Sequence, residues 1–460
     1  MGRNKTLKLY DKTKIDKNNL LFTNRDLRLL LIPVVVEQLL NSFMGMADTM
    51  MVSKVGSAAI SAVSLVDSIN VLVIQLFSAM AAGATIICAQ YIGKKDNKNS
   101  NKAAEQVVLT TFVISVLIML FCILFRGILL RAIFGQVEEN VMQASNIYFL
   151  ITACSFPFIA LFNDGAAFYR AGGESRFPMK VSVISNVINI VGNAILIFLF
   201  HLGVAGAALS TLFSRLFSAA LIFYFLRKPK QVIVVKRYIR IKPDFVLIRK
   251  ILQLGIPSGI ENGMFQFGKL AIQSSVSTLG TAAIAAQAMT IIFENLNGIA
   301  AIGIGIGLMT VVGQCIGAGR KEEAKYYIVK LTGYAWIAVI LSCVFVFLLC
   351  RPVTVLAGME AESAGLCIEM MTAITLVKPF AWVFSFIPGY GMRAAGDVGF
   401  SMLVSSLTMW FCRVALCTYL IRFCGFGPMA VWIGMFADWT LRGVIFSARY
   451  LSGRWMKFVV

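Results

Sequence analysis

Charged residues are scarce in this chain, 14% of 460 against 58% hydrophobic. That excludes an ordinary soluble domain, in which about a quarter of residues are charged. Histidine is almost missing, with His201 alone at a predicted loop, and the ten cysteines contain no Cys-x-x-Cys pair. A metal centre or disulfide framework therefore lacks its ligands, and the cysteines read as small hydrophobes inside apolar runs. No Gly-x-x-x-x-Gly-Lys-Ser/Thr loop occurs, so ATP is not the energy source within this chain. Paired DDxxD motifs are missing as well, which removes the constellation that an integral membrane enzyme would need. The opening MGRNKTLKLYDKTKIDKNN has no compact apolar core ending at a small-residue cleavage site, and reads as a cytoplasmic tail rather than a signal peptide.

What is present is a series of long apolar runs separated by short charged loops, the pattern of an all-α polytopic membrane protein. Twelve spans are predicted, at roughly 28–53, 58–92, 104–126, 141–163, 178–200, 204–226, 247–277, 281–316, 326–350, 363–388, 400–422 and 428–450. The net charge of +20 sits in alternate connections, which is membrane topology rather than nucleic-acid binding. Lys94, Lys95, Lys98 and Lys102 lie in one such connection, Arg320, Lys321 and Lys325 in another. The linker region is the most basic, with Arg227, Lys228, Lys230, Lys236, Arg237, Arg240, Lys242, Arg249 and Lys250. These connections and both termini are expected on the cytoplasmic side of the cell membrane. The expected organisation is a basic tail (1–27), a six-helix lobe (28–226), a cytoplasmic linker (227–246), a second six-helix lobe (247–452) and a short tail (453–460).

The stretch from Leu27 to Gly56 organises the rest, because it is apolar yet carries Glu37, Asn41 and Asp48 on one helical face. A charged side chain at the helix centre costs about 2.5–3.5 kcal/mol on insertion scales, so it faces a cavity or a partner rather than lipid. The segment recurs: Pro33, Glu37, Gly56, Gly83, Gln90 and Gly93 return as Pro257, Glu261, Gly280, Gly307, Gln314 and Gly317. Asp48 does not return; Ile272 stands in its place. Six spans per copy is an even number, so the lobes are expected as parallel repeats around a central cleft.

Further polar residues stand out against this background. Ser182, Asn186, Asn189 and Asn193 form one stripe on the fifth span, readable as interhelical glue or as the lining of an ion site or cleft. Asp48 is either a hydrated acid near a helix end or a group suited to loading and releasing a proton. In the second lobe Glu261, Glu294 and Lys378 share a depth near the midplane. They form either a self-neutralising cluster or a charge lock lining the cleft, and Lys269 can pair with any of these acids. Met44, Met46, Met50, Met51, Met264 and Met289 offer adaptable apolar surface, for packing or for substrate.

The chain resembles the multidrug and toxic compound extrusion (MATE) family over nearly its whole length. Met46-Ala47-Asp48-Thr49 after Pro33, the pair Gln90-Tyr91-Ile92-Gly93 and Gln314-Cys315-Ile316-Gly317, and the pair Arg170-Ala171-Gly172-Gly173 and Arg393-Ala394-Ala395-Gly396 carry the likeness. The resemblance implies export of small amphipathic, often cationic, organic compounds by alternating access, coupled to H⁺ or Na⁺ influx. It implies no other cofactor, and the expected partners are the substrate and the bilayer, with the chain acting as a monomer. One branch of the family has a cation site whose first-helix aspartate matches Asp48, whose asparagine matches Asn189 and whose threonine matches Thr211. That branch has a second aspartate where this chain has Asn193, which leaves less charge for Na⁺ at Asp48, Asn189, Asn193 and Thr211. The acids of a second-lobe sodium site fall here on Gln266 and Trp382, so that site is expected to be missing. The alternative is a flippase for a lipid-linked or amphipathic metabolite of the same broad superfamily. Such flippases commonly add spans or a strongly cationic cavity, and the mixed charges here argue against one.

Overall fold

A computed structural model describes residues 9–457 except 17, 136, 230, 237, 239 and 240, and not the side chains of Met46 and Lys457. Lys230, Arg237 and Arg240 of the linker, and the outermost residues of both tails, thus lie outside the described residues. Among those described, every regular element is helical. The first half runs α1 (Asn24–Val52), α2 (Ser57–Gly93), α3 (Asn97–Phe134), α4 (Glu139–Cys154), α5 (Phe156–Ala171), α6 (Arg176–Asn193) and α7 (Gly203–Leu226). The second runs α8 (Phe245–Val276), α9 (Thr281–Gly317), α10 (Lys321–Leu356), α11 (Ala361–Ala394), α12 (Val398–Thr408), α13 (Leu416–Cys424) and α14 (Met429–Ser452).

The protein is a multi-pass membrane protein. Among the described residues ten helical spans are long and apolar enough to cross a bilayer, and eleven if the bent pair α4–α5 counts as one. The twelfth is α8, whose 32 residues include the polar Gln253, Ser258, Glu261, Asn262, Gln266 and Lys269. The predicted span 141–163 is corrected: its helix extends to Ala171 and bends by 42° around Ser155. The cause is Pro157 in the first turn of α5, which has no N–H to continue the ladder from α4. The fifth span of each half also widens into a π-helix, at Ala194–Leu199 after α6 and at Met409–Ala415 after α12.

Two compact units are present, Asp26–Gly259 and Ile260 onward, the latter together with the residues up to Arg25. In the first, Val66, Phe77, Phe149 and Phe156 form a continuous apolar core. In the second, Phe293, Met370, Met371 and Trp432 do so. The start of α8 belongs to the first unit, where a Cβ on Gly83 would lie 3.3 Å from the Gly255 nitrogen, so α2 and α8 touch by backbone. The linker is tied to the same unit by Gln106 Nε2, which donates to the Lys242 carbonyl at 2.9 Å, and by a Lys102–Asp244 ion pair at 2.6 Å. The N-terminal segment instead packs on the second unit: the Tyr327 hydroxyl donates to the Phe22 carbonyl at 2.6 Å, and Arg320 to that of Asn19 at 2.7 Å. The repeat is visible in the backbone too, since Gly56 (φ +137°) and Gly280 (φ +93°) start α2 and α9 in conformations closed to other residues.

Candidate functional site

In the first unit α1, α6 and α7 bring four polar side chains together. Asn189 and Asn193 are four residues apart on α6, hence on one face, and both are buried. Asn193 Nδ2 donates to Asp48 Oδ1 at 2.6 Å and also lies 3.3 Å from Asn189 Oδ1. Asn189 Nδ2 donates to Thr211 Oγ1 at 3.2 Å, and the Thr211 hydroxyl passes on to the Ala207 carbonyl at 3.0 Å. A hydrogen-bonded chain thus leads from the α1 carboxylate through two amides to α7. It sits where α6 turns into its π segment, a distortion often found at functional sites. The remaining Asn193 acceptor, Oδ1, is buried without a partner.

Asp48 is the sole carboxylate among the four, but it is not the only acid within electrostatic reach. Asp67 on α2 and Arg215 on α7 both act on its charge. Asp67 accepts from Asn70 at 3.1 Å and from the Tyr148 hydroxyl at 3.2 Å. Arg215 donates to Ser155 Oγ at 2.7 Å, at the bend between α4 and α5. Sequence reasoning missed both, although each is a charged residue inside a predicted span, the same signal that marked Asp48. A further acid, Asp164 on α5, is fully buried with neither carboxylate oxygen hydrogen-bonded. Of the other first-half candidates, Glu37 is 3.5 Å from Arg170, and Asn41 Oδ1 accepts from Ser182 at 3.2 Å.

The second unit is arranged differently. Lys378 is fully buried on α11; its Nζ lies 2.5 Å from Glu294 Oε1 and 2.7 Å from the Glu294 carbonyl, and 5.1 Å from the centre of the Trp382 ring. Glu261 does not complete that cluster but pairs with Arg393 at 3.5 Å. The expected trio is therefore two separate pairs, because equal depth along helices says nothing about the face from which each side chain leaves. The Glu261–Arg393 pair repeats Glu37–Arg170 at the same distance of 3.5 Å. Lys269 is exposed, within electrostatic reach of Arg413 and Glu294, while Gln266 is half-buried on α8. Trp382 stacks on Phe386, ring centres 4.8 Å apart. A second buried cluster went unseen from sequence: Arg413 and Arg442 both reach Asp438 Oδ2, at 3.1 and 2.9 Å.

The MatE family model matches twice, over residues 33–195 and 257–419. A probable multidrug resistance protein, NorM of Thermotoga maritima, is 26% identical over 98% of this chain and 97% of its own length. The multidrug export protein MepA of Staphylococcus aureus is 25% identical over 68% of this chain and 69% of its own. An outward-facing multidrug resistance MATE transporter of known structure superposes with a TM-score of 0.86 at 19% identity, covering 93% of this chain and 96% of that one.

Proposed function

Because the chain belongs to the MATE family of membrane transporters, we propose that it exports small amphipathic organic molecules, driven by inward movement of a cation taken up at Asp48. The names of relatives such as MepA, a multidrug export protein, support the export of small organic compounds. In this reading the basic connections and both termini face the cytoplasm.

The observation that carries the assignment is the Asp48–Asn193 contact. An asparagine amide offers a donor on one side and an acceptor on the other. With Asp48 ionised, Nδ2 donates to the carboxylate, as seen. With a proton on Asp48, the carboxyl becomes a donor, and half a turn of the amide presents the unpartnered Oδ1. The same turn takes Asn193 Nδ2 away from Asn189 Oδ1, so Asn189 turns as well and the Thr211 hydroxyl donates to it instead of to the Ala207 carbonyl; the hydrogen-bonded chain reverses direction with the proton. Sodium would instead require several oxygens of Asp48, Asn189, Asn193 and Thr211 to converge at once, with one carboxylate among them. Proton coupling is the economical reading. One positive charge moving inward down 100 mV supplies about 2.3 kcal/mol, enough to bias a two-state equilibrium roughly fiftyfold.

Proteoliposomes with separately imposed gradients test this. Export should follow a proton gradient at zero sodium gradient. Export that follows sodium and ignores protons at matched potential would overturn the ion assignment.

A further inference from the structure

Among its described residues the second unit holds more buried positive charge than its own acids neutralise. Lys378, Arg413 and Arg442 stand against Glu294 and Asp438, while Glu261 and Arg393 cancel each other. The excess is concentrated at Asp438, which is wholly buried, with Arg413 and Arg442 only 5% and 1% exposed. Both guanidinium groups share a single oxygen, Oδ2. The Nε of each arginine is buried with no hydrogen-bond partner. Two guanidinium groups on one carboxylate oxygen repel each other, and Lys269 adds a third cation that feels Arg413. Burying such an excess is costly unless a counter-charge arrives. The free N–H donors are what an incoming oxyanion would accept from. Aromatic faces adjoin the charges: the Arg442 guanidinium lies 4.2 Å from the Phe386 ring centre and 5.3 Å from that of Phe265, with Trp382 stacked on Phe386.

We propose that Lys269, Arg413 and Arg442 form an anion-binding centre in the second unit, which takes the carboxylate, sulfonate or phosphate group of an amphipathic substrate while Phe265 and Phe386 hold its apolar body. This deepens the export reading and rests on it for the identity of the ligand as cargo. The preference it implies is the reverse of the cationic substrates that the family resemblance suggests. The anion is carried by a free organic acid or by the phosphate of an amphipathic lipid; both present the same oxyanion.

The test reads binding and transport separately. Purified protein in phosphatidylcholine nanodiscs is titrated with carboxyfluorescein, an aromatic anion, and with ethidium, an aromatic cation, by fluorescence anisotropy. Wild type should bind the anion more tightly. Lys269→Gln should weaken it about tenfold, Lys269→Arg should restore it, and ethidium affinity should stay the same or rise. Arg413→Gln repeats the test at the buried end, with thermal unfolding to confirm that the variant is folded. Replacing part of the phosphatidylcholine with phosphatidylglycerol separates the sources: competition assigns the site to a lipid phosphate, its lack to a free organic anion, and each supports the oxyanion site. Equal affinity for both probes in wild type, or anion binding untouched by Lys269→Gln and by folded Arg413→Gln, overturns the proposal. If wild-type protein binds carboxyfluorescein but no gradient drives either probe across proteoliposomes, the export reading fails and the anion site stands.

Discussion

Glu37–Arg170 in the first half and Glu261–Arg393 in the second are the same ion pair twice over, each at 3.5 Å. Around them the halves diverge. Besides its pair the first carries Asp48, Asp67 and Asp164 against Arg215. The second has Lys269, Lys378, Arg413 and Arg442 against Glu294 and Asp438. At the repeat spacing Asp48 and Asp67 become Ile272 and Ile291, while Ser214 and Ser218 become Asp438 and Arg442. One scaffold therefore carries an acid-rich interior and a base-rich one. The teaching is that a helical frame tolerates opposite charge patterns as long as its own pairs are kept. Under the two proposals the acid side takes the coupling cation and the basic side the anionic group, so the two tasks use separate sets of residues.

The largest expected effect breaks the acid side alone. Asp48→Asn removes the ionisable group while keeping its shape and its hydrogen-bonding neighbour Asn193. Gradient-driven export should fall by about fiftyfold, the bias that one charge supplies, with equilibrium binding of substrate little changed. Undiminished export by this variant would remove Asp48 from the mechanism.

Next comes Lys378→Met on the basic side, which removes the cation in direct contact with Glu294. Breaking a buried pair on one side costs about 3–5 kcal/mol, so thermal unfolding in detergent should be sharply earlier. Lys378→Met with Glu294→Leu should recover much of that loss. A double variant no better than the single one would mean that the lysine does more than neutralise Glu294.

The shared pairs sharpen the comparison. Glu37→Gln and Glu261→Gln should each destabilise by about 1–3 kcal/mol and to a similar degree, because spacing and burial match. A large loss of transport in only one of them, with equal stability losses, would show that duplication left one pair structural and made the other functional.

The smallest effect lies at the linker's attachment to the first half. Asp244 accepts from Lys102 and from the backbone N–H groups of Val246 and Leu247, capping α8. The hydrogen bond from Lys102, then those from the backbone, hold its carboxyl below the ordinary aspartate range. Its folded-state value is depressed, so the stabilisation is complete above about pH 4 and disappears as pH falls through that lowered value. The protection of the Val246 and Leu247 amides, taken relative to their intrinsic exchange rate at each pH, should fall on acidification, and Asp244→Asn should flatten that response. A pH response unchanged in the variant would place the titrating group elsewhere.

Much of this molecule was determined by the sequence alone. Apolar run length and turn residues dictated an all-helical membrane protein, and the spacing from Pro33 to Pro257 announced the duplication. The polar face of α6 was legible because Asn189 and Asn193 obey the helical period. Asp48 stood out because a charge in an apolar run needs a partner, and Asn193 supplies one. Which charges meet follows from the packing of the helices. Periodicity places a side chain on its own helix but does not orient that helix about its axis against its neighbours. For that reason Glu261 and Lys378, equal in depth, end in different pairs, and Glu37 finds Arg170, which lies 133 residues away. The convergence of Arg413, Asp438 and Arg442 likewise depends on how α14 packs against the π turn after α12. Ion pairs across helices are properties of packing angles, which arise from the whole interlocked surface and from no single stretch of chain.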